Sequence, residues 1–140
     1  MNGYNCEIFN SNVQKIQLNN NIIFENYDIL SFIIIKDNMH IQVLSKGIYI
    51  INISLYLIET GEIKLYINDK LYNETFKSYS IKSTVFFHKM IILNEFDILS
   101  IKNCSPYDIM TKDANMCPNY KNFNMVIWKL DNTTLTTITE

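Results

Sequence analysis

Three segments of this chain are apolar on both sides of a strand-like alternation, and nothing else in the sequence restricts the fold as strongly. Behind Gly47, the run Ile48–Leu57 puts Tyr49, Ile51, Ile53, Leu55 and Leu57 at its odd positions. Its even positions, Ile48, Ile50, Asn52, Ser54 and Tyr56, are mostly apolar or small. Phe123–Leu130 sets Phe123, Met125 and Ile127 against Val126, Trp128 and Leu130, and Asp97–Ile101 sets Leu99 and Ile101 against Ile98. Successive side chains of a strand point to opposite faces, so a strand apolar on both must be covered on both. Two stacked sheets cover only one face of each. The second faces are therefore expected to be covered by further copies of the chain, because large exposed apolar patches are rare on monomers.

Codon supply could counterfeit this signal. All 12 basic residues are Lys, Ala occurs only at Ala114, and there are 24 Ile and 19 Asn. These are the residues of A/T-rich codons, and they point to an A/T-rich source genome. Trp128 is not such a residue, yet it lies on a spare face, so pattern outweighs composition there.

The rest of the chain reads as strands too. Short segments rich in Ile, Val, Tyr and Phe recur between Asn, Asp, Gly and Ser, the cadence of an all-β domain. Apolar residues alternate and do not fall at helical spacing. Ile63, Leu65 and Ile67 face one way and Glu62, Lys64 and Asn68 the other, a strand with one wet face; Asp69-Lys70 is expected to turn it into a hairpin with Leu71–Phe76. The 140 residues suffice for one domain. With 48% hydrophobic and 19% charged residues the chain is not intrinsically disordered. A net charge of −2 provides no electrostatic footprint for nucleic acid or an anionic membrane. The expected organisation is an N-terminal arm over 1–12, a domain over 13–130 and a Thr-rich tail over 131–140.

The residues of catalysis and metal binding are sparse. No Ser/His/Asp grouping and no Gly-rich phosphate loop is present. His40 and His88 are isolated, so no metal site and no cofactor are expected. Cys6, Cys104 and Cys117 fit no CxxC spacing; reduced thiols are expected, with a Cys104–Cys117 bridge and a catalytic thiol as the alternatives. Met1–Glu7 has neither a basic nor an apolar region of the secretory type, and no apolar run is long enough for a membrane span. Synthesis in the cytoplasm without secretory export is therefore expected, with the Asn-x-Ser/Thr sequons at Asn52, Asn73, Asn103 and Asn132 unused. Asn103–Tyr120 is the longest expected loop. It is read as an ordered crossover, with a binding surface around Tyr107 and Tyr120 or a Ca²⁺ site at Asp108 and Asp113 as alternatives.

Several segments together resemble one superfamily. Gly47-Ile48-Tyr49-Ile50-Ile51-Asn52-Ile53-Ser54-Leu55 is similar to the "GxYxIxxSL" strand of the tumour-necrosis-factor and complement-globular-head superfamily. Ile22-Ile23-Phe24 and the stretch to His40-Ile41-Gln42-Val43 resemble the strands before it. Glu62–Asp69 resembles the "xLxLxINGxx" hairpin, Ile91–Ile101 the "VxLxxGDxLxI" strand pair, and Asn122–Leu130 the closing strand. The closest flavour is the head domain of the BclA-type collagen-like exosporium glycoproteins of spore-forming bacteria. Two features depart from the pattern: Phe96 stands where the family has Gly, so that turn is expected to be built differently, and the chain has no Gly-x-y stalk.

The resemblance implies a two-sheet antiparallel jelly-roll sandwich of about ten strands that assembles as a homotrimer. Carried onto matching positions, its subunit-facing residues are Ile50, Asn52, Ser54, Tyr56, Asn124, Val126, Trp128 and Leu130; the alternation adds Ile98. The expected function is a non-enzymatic structural or adhesive head on a spore surface, whose partners are itself and an unidentified surface protein or glycan. A virion or phage-tail receptor-binding trimer, and a secreted cytokine-like or toxin-associated ligand, are the alternatives.

Overall fold

The computed structural model describes residues 5–28, 32–78 and 84–130, with only the backbone over 73–78. The described residues form twelve strands: β1 (Asn5–Asn10), β2 (Lys15–Ile16), β3 (Asn26–Asp28), β4 (Ile33–Asp37), β5 (His40–Val43), β6 (Gly47–Tyr56), β7 (Gly61–Ile67), β8 (Lys70–Ser78), β9 (Thr84–Leu93), β10 (Ile98–Asn103), β11 (Ile109–Met110) and β12 (Phe123–Lys129). One antiparallel sheet runs β3-β1-β12-β6-β9, and the other β4-β5-β10-β7-β8. β2 and β11 form a separate two-stranded ribbon. This is the expected two-sheet jelly roll.

The core lies between the inner faces of the sheets. Tyr49, Ile51, Ile53 and Leu55 of β6 and Phe123, Met125 and Ile127 of β12 are buried, as the odd positions require. The second sheet contributes Ile41, Val43, Ile63, Leu65, Leu99 and Ile101. Each fully buried aliphatic side chain contributes roughly 1.5–3 kcal/mol by leaving water, and the long strands β6 and β9 supply the most buried side chains. Tyr49 keeps its hydroxyl satisfied from inside the core by donating to Ser45 O at 2.6 Å.

Buried amides fasten the loops to this core. Asn103 donates to Ile16 O at 2.9 Å and Tyr107 O at 3.0 Å, and accepts from Ser105 N–H at 2.9 Å. Asn10 donates to Ile23 O and accepts from Glu25 N–H. Asn122 donates to Asn12 O and Lys112 O. Side-chain amides can replace missing ladder partners in this way, which is how irregular backbone stays satisfied at depth.

Several boundaries differ from the sequence expectation. Residues 5–10 are not part of an arm: β1 pairs with β12 from Asn5↔Trp128 to Asn10↔Phe123 and buries Cys6 and Ile8. Its pattern is short and ends on an inward Asn, so alternation alone does not reveal it. Ile22–Phe24 joins no ladder strand; Ile22 and Phe24 are buried there, and their N–H groups donate to Ile101 O and Asn38 O. The β7–β8 turn falls at Asn68-Asp69, one residue earlier than expected, with both in the left-handed region (φ 54° and 61°). Asn and Asp are the non-glycine residues that best accept that region. The tail over 131–140 lies outside the described residues.

Phe96 provides the sharpest correction. The turn before β10 is not built differently: Phe96 itself takes the left-handed conformation, at φ 71°. Its N–H donates to Val43 O, while Val43 N–H donates to Asp97 O. Asp97 in turn accepts from Asn94 N–H and from the Asn68 amide.

The long segment before β12 is an ordered crossover carrying β11 and two 3-10 turns, Ala114–Met116 and Pro118–Tyr120. Its carboxylates hold backbone: Asp108 accepts from Leu18 N–H at 3.0 Å and lies 3.6 Å from Lys15 Nζ, and Asp113 accepts from Asn115 N–H at 3.0 Å.

Candidate functional site

The outer face of the first sheet brings the candidate interface residues together in register, all except Ile98. Trp128 of β12 lies opposite Ile50 of β6, which lies opposite Met90 of β9. The next row is Val126, Asn52 and His88, and the next is Asn124, Ser54 and Phe86. Tyr56 pairs with Thr84 at one end. At the other, Leu130 N–H donates to Ile48 O, and Ile48 pairs with Ile92. Directly opposed side chains on one face lie within contact distance, so these rows make one continuous surface.

Ile98 is not part of it. β10 belongs to the second sheet, where Ile98 pairs with Gln42 and its N–H bonds Asn68 Oδ1. It lines a separate depression of about 250 Å³ with Lys36, Asp37 and His40. There the His40 imidazole, 2.7 Å from Asp37, holds the Asp37 carboxyl below its ordinary range. Apolarity on both faces shows that a strand needs two-sided cover, but not which sheet it joins.

β9 adds three residues that the sequence did not single out. Phe86 is 67% exposed, Met90 59% and Ile92 67%, while Val85, Phe87, Ile91 and Leu93 point inward. Thr84–Leu93 is thus a fourth two-faced strand. His88-Lys89 at its centre breaks the apolar run and hides the pattern.

The face is graded. Ile50, Met90, Trp128, Phe86 and Ile92 concentrate apolar surface over β6, β9 and β12, with a shallow depression of about 350 Å³ lined by Ile50, Asn52, His88, Trp128 and Leu130. Within it His88 Nδ1 hydrogen-bonds Asn52 Oδ1. Toward β1 and β3 the face becomes charged: Lys121 Nζ bonds Glu7 at 2.7 Å and sits 4.6 Å from the Phe9 ring centre, and Glu7 pairs with Asp28 across the strands. Asn124 Oδ1 is buried and has no hydrogen-bond partner, a position that costs free energy unless a donor arrives from elsewhere.

Cys6, Cys104 and Cys117 are all free thiols, so the alternative Cys104–Cys117 bridge is not formed. Burial pushes the Cys6 thiol up to about 12 and raises Cys117 as well, which keeps both protonated and poorly nucleophilic. Cys104 lies 3.7 Å from the Tyr66 hydroxyl. Among the described residues no three His, Cys, Asp or Glu side chains are grouped to hold a metal, and no helix is long and apolar enough to cross a membrane.

No protein-family model matches the sequence, and no curated protein matches it. Solved structures do match the fold. The globular domain of zebrafish complement 1qA protein superposes with a TM-score of 0.70 at 9% identity, covering 91% of this chain and 98% of that one. Eiger TNF from S. frugiperda gives 0.73 at 16% identity, covering 91% and 92%. Murine APRIL gives 0.64 at 11% identity, covering 91% and 98%. The chain therefore has the two-sheet jelly-roll fold of tumour-necrosis-factor-like and complement-head-like domains.

Proposed function

We propose that the protein is a non-enzymatic binding head that works as a homotrimer, each copy covering the outer face of its first sheet with its neighbours. The observation that carries this is the apolar surface over β6, β9 and β12, centred on Trp128, Ile50 and Met90. Burying it is favourable at roughly 25 cal/mol per Å², and a neighbour's donor would satisfy Asn124 Oδ1. The face is asymmetric, apolar toward β9 and charged toward β1 and β3. That grading favours a head-to-tail contact, which forms a ring where its rotation closes, over a two-fold contact of the patch with itself. Three as the ring size follows from the superfamily resemblance. Analytical ultracentrifugation is expected to give a species near three times 16.5 kDa; a clean monomer at micromolar concentration would overturn the proposal.

The finer part of the proposal places this head in the outer layer of a bacterial spore, as a structural or adhesive module. Its support is that exosporium head domains are the closest flavour of the superfamily resemblance, together with the A/T-codon composition. Immunolocalisation on purified spores tests the placement. Detection on virions or in culture supernatant instead would replace it.

A further inference from the structure

A second site lies away from the apolar face. A cleft of about 540 Å³ opens between β2, the segment leading to Ile23, the β4–β5 turn at Met39, and Lys102 of β10. That volume falls within the range of small-ligand sites. Its wall is unusual in kind: five of its lining side chains are carboxamides, among them Gln17, Asn19 and Asn21, and among the described residues no carboxylate lines it. Gln14 locks one wall by donating to Ile23 O and accepting from Ile23 N–H. Asn20 donates to Gln17 Oε1 at 3.1 Å, which leaves the Gln17 amide N–H groups available to a ligand. Asn21 Oδ1 is buried with no hydrogen-bond partner.

We propose that this cleft binds an acidic saccharide. A carboxamide offers both donors and an acceptor, and a sugar hydroxyl requires both, so a wall of amides matches a polyhydroxylated ring. The apolar side chains of Ile23 and Met39 give the ring's C–H face a surface to rest on. The acidic group is called for by Lys15 and Lys102, which also line the cleft. Lys102 Nζ sits 4.5 Å from the Tyr66 ring centre, a contact that holds its position and leaves its charge uncancelled. Lys15 is 3.6 Å from Asp108, a loose pair that an incoming carboxylate can share. The site does not depend on trimerisation, since none of these residues lies on β6, β9 or β12.

The test is saturation-transfer NMR on the whole chain with D-galacturonate and D-glucuronate beside D-galactose and D-glucose, pairs that differ only in the acidic group. At least one uronate is expected to bind about tenfold or more tightly than its neutral parent, the factor expected of one charge-assisted contact. Lys102→Met should abolish that preference, and Gln17→Ala should weaken both members of the pair. Circular dichroism melting on each variant separates loss of binding from loss of fold. The proposal is overturned if no sugar receives saturation, or if acid and neutral parent bind equally. A preference that survives intact in a folded Lys102→Met variant overturns it too.

Discussion

A phenylalanine at φ 71° allows a prediction whose sign turns on backbone geometry. An L-residue in the left-handed region carries a steric cost of roughly 1–2 kcal/mol, from its Cβ against the following carbonyl. Phe96 is 56% exposed, so any single substitution mixes relief of that cost with loss of what packing its ring makes. Comparing Phe96→Ala with Phe96→Gly removes the ring from the comparison, because the two variants differ only in Cβ. At an ordinary position Gly is the less stable of the pair by roughly 0.5–1 kcal/mol, owing to its extra freedom when unfolded. At Phe96 the steric term opposes this and is larger, so Gly should be the more stable by about 0.5–1 kcal/mol. Urea denaturation of both variants at one protein concentration measures the difference, the fixed concentration removing any shift from association. An alanine variant equal to or more stable than the glycine variant refutes the assigned conformation of this turn.

Other predictions follow from the core and the apolar face. Trp128→Glu should dissociate or unfold the assembly, because it buries an unpaired charge at a subunit contact; a soluble, folded trimer carrying it would mean that the wrong face has been chosen. Ile53→Ala, at a site 1% exposed, should cost about 2–5 kcal/mol in denaturation, and an unchanged midpoint would contradict its place in the core. The Cys6 thiol is raised from 9.0 to about 12, so the folded state holds its proton where the unfolded chain has lost it. Its contribution is complete below pH 9 and declines as pH rises toward 12, and Cys6→Ala should make the alkaline fall in melting temperature shallower. An identical fall in wild type and variant would contradict the burial of this thiol.

Much of this architecture was legible because β6, β7 and β12 alternate over many residues, and a long period-2 pattern cannot be laid on one face of a helix. The face residues on β6 and β12 followed from the same alternation. Ile98 failed since alternation reports the need for cover and not the sheet to which a strand belongs; only the pairing of β10 with β5 and β7 decides that. Phe86, Met90 and Ile92 were hidden by His88, whose polar ring is accommodated by Asn52 across the strand pair. β1 was missed for a related reason. Its inward Asn10 is satisfied by Ile23 O and Glu25 N–H, partners 13 and 15 residues away that no local pattern displays. Phe96 shows the limit of residue preference: a hydrogen-bonded frame around Val43 and Asp97 can impose a conformation that the residue type would not choose.

The burial of Asn103 has a consequence for how the chain can be made. Asn103 heads an Asn-Cys-Ser sequon, and both N–H bonds of its amide are directed at carbonyl oxygens, Ile16 O and Tyr107 O, inside the domain. An N-linked sugar attaches at that nitrogen, removes one of the two hydrogens and needs open space beside it. At this position glycosylation and the native fold are mutually exclusive, so in any compartment with oligosaccharyl transfer the enzyme competes with folding for each new chain. Recombinant production in a bacterial cytoplasm avoids that competition, and replacing Ser105 in a secretory host would avoid it only by giving up the hydroxyl that accepts from Glu62 N–H.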